Sequence, residues 1–82
     1  MKNTKKNGDY RIRVTDAMGN KSYVVRNGGR VLYYSAGETP LALSNISQNA
    51  AELRFALQDA IGVGQAAEAL RTASRATKVE VI

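Results

Sequence analysis

Apolar and polar positions alternate strictly from residue 10 to residue 15, with Tyr10, Ile12 and Val14 on one side and Arg11, Arg13 and Thr15 on the other. A period of two predicts a half-buried β-strand. Met18, Gly19 and Asn20 follow as a turn, since Gly and Asn accept positive φ at little cost. A second strand is predicted over residues 22–26 and a third over residues 30–35, joined at Asn27-Gly28-Gly29, the strongest hairpin signal in the chain. A three-residue loop there would set Arg26 directly opposite Arg30, an unfavourable like-charge pair. A two-residue loop at Asn27-Gly28 or Gly28-Gly29 avoids it. With a two-residue Gly19-Asn20 loop, Val14 falls opposite Val25. The predicted core face is then Tyr10, Ile12, Val14, Tyr23, Val25, Leu32 and Tyr34. The opposite face holds Arg11, Arg13, Thr15, Val24, Arg26, Val31 and Tyr33, and its apolar members call for a cover: a helix, the N-terminal arm or a partner.

Beyond residue 38 the period changes. Thr39-Pro40 reads as a helix start, with Thr as N-cap and Pro at the first helical position. A short helical turn is expected over residues 41–43, with Ser44-Asn45 capping the main helix. Apolar residues then fall at Ile46, Ala50, Leu53, Leu57 and Ile61, a helical stripe that Phe55 widens, while Arg54, Gln58 and Asp59 face out. Residues 61–65, with Gly62 and Gly64, form a turn. An alanine-rich second helix is predicted over residues 65–76, its outer side formed by Glu68, Arg71, Thr72, Arg75 and Lys78. Residues 78–82 alternate again; they either pair as a short fourth strand or form a tail that docks on a partner. The expected fold class is α+β: a three-stranded antiparallel meander, then a helical hairpin and, where residues 78–82 pair, a short C-terminal strand, in the order β-β-β-α-α-(β). Residues 1–8 are polar and lysine-rich and read as a flexible basic arm, leaving residues 9–82 as one domain.

Charge sharpens the picture. The 82 residues carry a formal net charge of +5. Residues 1–35 hold eight of the twelve basic side chains and only Asp9 and Asp16 among the acidic ones. A cationic sheet joined to a nearly neutral helical half is what a polyanion-binding face requires. Arg11, Arg13 and Arg26, with Lys21 and Arg30 near the turns, Tyr33 among them and Lys5 and Lys6 in the arm, are the candidate nucleic-acid contacts. Arginine gives bidentate contacts to phosphate or guanine edges, an antiparallel sheet can enter the major groove, and an exposed tyrosine can stack on an unpaired base. DNA is favoured over RNA. The competing reading is a protein–protein module, such as a phage-style inhibitor or a subunit of a virion or complex. It would dock on an acidic partner or a second copy through Val24, Val31 and Tyr33 and the C-terminal strand.

The remaining composition narrows function by subtraction. With no Cys and no His, disulfides, Cys/His zinc sites and His acid–base chemistry are excluded. The seven acids are scattered singly, and neither Gly28-Gly29 nor Gly62-Val63-Gly64 stands in the strand–loop–helix setting of a phosphate loop. No enzyme, metal or cofactor is expected. The turn between the helices has a faint outline of a helix-turn-helix, in which Gln65, Arg71 and Arg75 would be the contacts, but such spacing is common in ordinary helical hairpins and plain packing is the reading preferred. No apolar run follows the charged start and none is long enough to cross a bilayer, so a cytoplasmic, membrane-free protein is expected. At the level of fold alone, residues 9–62 resemble the DNA-binding modules of the AP2 type and the arm-binding domains of tyrosine recombinases. The resemblance rests on strand order and charge and implies a DNA-associated role, of the kind found with phage or mobile elements.

Overall fold

The computed structural model describes residues 9–82. Strands β1 (Tyr10–Thr15), β2 (Lys21–Asn27) and β3 (Arg30–Ser35) form the meander. Helices α1 (Ala50–Asp59) and α2 (Val63–Ala73) follow, and β4 (Lys78–Val81) returns to the sheet. All pairings are antiparallel, in the order β3-β2-β1-β4. The chain is therefore α+β, with residues 78–81 pairing as a strand rather than trailing as a tail.

The second hairpin forms as its charges require. Asn27 pairs with Arg30 across a Gly28-Gly29 loop, and Arg26 faces Val31 instead of Arg30. Both glycines have positive φ, +62° and +83°, as the mirror-image turns of two-residue hairpins demand.

The first hairpin departs from expectation, and much follows from it. Thr15 pairs with Lys21, so the loop is five residues long, 16–20. Asp16 organises it: one carboxylate oxygen accepts the Met18 and Asn20 backbone N–H groups, each at 2.9 Å, and the Asp16 N–H donates to the Asn20 carbonyl at 3.0 Å. Those bonds, chiefly the one from Asn20, hold the Asp16 carboxyl below its usual range. Ile12 thus faces Val24, and Val14 faces Ser22 rather than Val25. The pairing is offset by an odd number of residues from the predicted one, so β2 and β3 present their opposite sides. Val24 and Tyr33 join Tyr10, Ile12 and Val14 in the core, and Val31 packs against it. Tyr23, Val25, Leu32 and Tyr34, expected in the core, lie on the other side.

The helices cover the Ile12–Val24–Tyr33 side. α1 begins a turn later than Ser44-Asn45 suggests, because Asn49 is its cap. The Asn49 Oδ1 accepts the Glu52 N–H at 3.2 Å, and its amide donates to the Glu52 carboxylate at 2.9 Å. Thr39-Pro40 starts no helix. Pro40 bridges to Tyr34, with Ser35 N–H donating to the Thr39 carbonyl (2.8 Å) and Leu41 N–H to the Tyr33 carbonyl (2.9 Å), so this segment runs along the outer edge of β3. Proline's fixed φ suits a sheet edge as well as a first helical turn. A single 3₁₀ turn, Leu43–Asn45, follows it. Leu53 and Leu57 are fully buried, whereas Phe55 is 68% and Ile61 64% exposed. Two residues from either leucine is about 200° around a helix, so Phe55 points away from the core, and Ile61 lies beyond the end of α1 at Asp59. α2 starts at Val63, two residues earlier than predicted, and buries Ala66, Ala67 and Leu70. Buried Ser47 ties the two helices together: its hydroxyl donates to the Ala73 carbonyl at 2.6 Å and accepts the Asn49 N–H at 3.2 Å.

Candidate functional site: the open face of the sheet

The odd register decides which side chains β2 and β3 turn away from the helices. Across β1, β2 and β3, one cross-strand row is Arg11–Val25–Leu32 and the next is Arg13–Tyr23–Tyr34. β4 extends the second row with Glu80, opposite Arg13. Lys21 and Arg30 stand at opposite ends of the same face and are exposed. Tyr23, Val25, Leu32 and Tyr34 are half-buried by their neighbours in the sheet, with no described helix above them.

Within that face the Arg11 guanidinium sits 5.2 Å from the centroid of the Tyr23 ring, a cation–π arrangement. Together with Val25, Leu32 and Tyr34 these two side chains line a depression of about 420 Å³, which Glu38 also lines. Arg13 is engaged differently. Its Nε donates to Glu80 Oε1 at 3.0 Å, and Lys78 Nζ lies 3.6 Å from the other carboxylate oxygen. The Arg13 hydrogen bond, aided by Lys78, holds the Glu80 carboxyl below its usual range. One acid is thus shared by two of the face's cations.

The expected contacts are therefore divided. Arg11, Arg13, Lys21 and Arg30 share the open face. Arg26 does not: it is 4% exposed on the helix side, and its Nη1 donates to the Leu57 carbonyl at 3.2 Å and the Gln58 carbonyl at 2.5 Å. A cation placed on the last carbonyls of a helix complements the helix dipole, so Arg26 is a fastener between β2 and α1. Tyr33, also expected on the open face, lies beneath α1 with the Arg54 guanidinium 5.7 Å from its ring centroid, and burial pushes its phenol up. The docking set Val24, Val31 and Tyr33 is corrected for the same reason: the chain's own helices occupy that side, leaving Val24 without exposure. Lys5 and Lys6 lie outside the described residues. Tyr23 and Tyr34 take the place expected of Tyr33, because the first loop has five residues rather than two; Asp16 followed by Gly19-Asn20 is the sequence signal for that longer loop.

Elsewhere, Gln65 accepts the Ile61 N–H on its side-chain oxygen at 3.0 Å, while Arg71 reaches Glu68 at 3.4 Å. Two of the three helix-turn-helix candidates are thus engaged locally. Among the described residues no three potential metal ligands cluster, and no helix is long and apolar enough to cross a membrane. No protein-family model matches the chain, and comparison with curated proteins and with solved structures finds no match.

Proposed function

We propose that the chain is a small, non-enzymatic, cytoplasmic nucleic-acid-binding protein whose open sheet face lies against the phosphate backbone. The observation that carries this reading is the joint placement of Arg11, Arg13, Lys21 and Arg30 on the one side of the sheet that the helices leave bare. Such a face attracts a polyanion, and each phosphate it neutralises releases counterions. The strand order and charge of the first half are in keeping with a role on phage or mobile DNA. Fluorescence anisotropy with labelled DNA and RNA tests the reading. Binding should fall steeply with salt, and Arg11→Ala should weaken it across sequences alike; no binding at low salt ends the proposal.

A second reading, docking on another protein, draws on a different surface from the one expected. Phe55 and Ile61 stand exposed on the helical side, with Glu52 and Asp59 each within one helical turn of Phe55 on α1. Recovery of partners from a lysate after nuclease treatment, and their loss on Phe55→Ala, would favour it over the first.

A further inference from the structure

Resting on the nucleic-acid reading, we infer that the ligand is single-stranded, its unpaired bases stacking on a platform made by Tyr34, Tyr23 and the Arg11 guanidinium. Width argues first against a duplex groove. Four strands at about 4.8 Å spacing put roughly 14 Å between the outer strand axes before side chains are added. The major groove is about 12 Å wide and admits a helix or a two-stranded ribbon. β4 widens the sheet at one edge, and the segment around Pro40 flanks β3 at the other, so neither side of the meander is a slim ribbon.

The chemistry of the face argues next. A surface that only neutralised phosphates would need cations and little else. Here Tyr23 and Tyr34 are direct cross-strand partners on it, and the Arg11 guanidinium already lies over the Tyr23 ring. Aromatic rings and guanidinium planes are what unpaired bases stack on, whatever their sequence. The depression they line, about 420 Å³, falls within the size range of small-ligand clefts. Lys21 and Arg30, six strand steps apart along the hairpin, are separated by roughly 20 Å, so they flank the platform and can hold phosphates on either side of a run of a few nucleotides.

The test compares a short fluorescein-labelled oligothymidine, the matching oligouridine and a short duplex at equal low salt. It uses the wild-type chain, Tyr34→Leu, Tyr34→Phe and Arg11→Ala, with circular dichroism reporting the fold of each. Tyr34→Leu keeps an apolar cover on the sheet but removes the ring; Tyr34→Phe keeps the ring. The expected result is single-strand binding about tenfold tighter than duplex binding, lost about tenfold in Tyr34→Leu and retained in Tyr34→Phe. Preference between the two single strands decides DNA against RNA and leaves the inference standing. Duplex binding as tight as single-strand binding, or indifference to Tyr34→Leu in a folded variant, overturns the inference while the broader reading survives. Absence of binding to all three probes overturns both. Sedimentation showing a dimer that Tyr34→Leu dissolves would identify a second copy as the occupant and overturn it as well.

Discussion

Four side chains show how position, rather than type, sets what a residue does. Tyr10 is buried beside Arg26 and donates its hydroxyl to the Leu57 carbonyl at 3.3 Å, and burial pushes its phenol from 10.0 up to about 12. A raised folded value favours the neutral form, so this contribution to stability is complete below pH 10 and drains away as pH rises toward about 12. Thermal melts across that window should fall less steeply for Tyr10→Phe than for the wild type. Arg26 reaches the same carbonyl from β2. Arg26→Ala should lower stability by about 2 kcal/mol in urea titration yet leave nucleic-acid affinity within about twofold, because the guanidinium never meets solvent on the binding side. Arg11→Ala should do the reverse. Glu80→Gln should free Arg13 and Lys78, strengthening single-strand binding and steepening its salt dependence by about 0.7 in log–log slope; an unchanged slope would show that neither cation reaches phosphate.

At the scale of elements, the chain's legibility depended on whether a segment's own backbone chemistry decided its form. Asn27-Gly28-Gly29 announces a tight hairpin because the turn demands positive φ twice, and repulsion between Arg26 and Arg30 selects its loop. Gly29→Ala should cost about 1 kcal/mol from backbone strain alone, since a Cβ there meets nothing within 4 Å; a stability unchanged in thermal melts would refute this. The β1–β2 loop was not legible in the same way. Glycine and asparagine marked the turn, but its length rested on Asp16 capturing two backbone N–H groups, and an odd change in length exchanges the faces of everything downstream. One loop thus moved Arg26 and Tyr33 from the candidate site to the core and brought Tyr23 and Tyr34 out. The helix boundaries shifted for a related reason: Thr39-Pro40 and Ser44-Asn45 both have capping chemistry, but Asn49 caps the helix that carries the buried Leu53 and Leu57.

For the whole molecule, alternating strands followed by a three- and four-residue stripe were enough to give the α+β class and the order of elements. The site was legible only in part, since charge identified the sheet but not which side of it. Arg11, Arg13, Lys21 and Arg30 stayed together because the first two lie on the strand that sets the reference and the others occupy the ends of the hairpin. The division of charge between the halves survives folding in a modified form. The helical half lends its acid Glu80 to the basic sheet by way of β4.

That loan also settles the fate of one flank of the sheet. β1 and β2 can zip together as neighbours in sequence, but Arg13 meets Glu80 only across a separation of 67 positions. Without β4, the flank of β1 would be an open edge and Arg13 would lack its carboxylate partner. The last four-residue strand therefore closes one flank of the meander to pairing with other chains and sets a carboxylate among the cations of the open face.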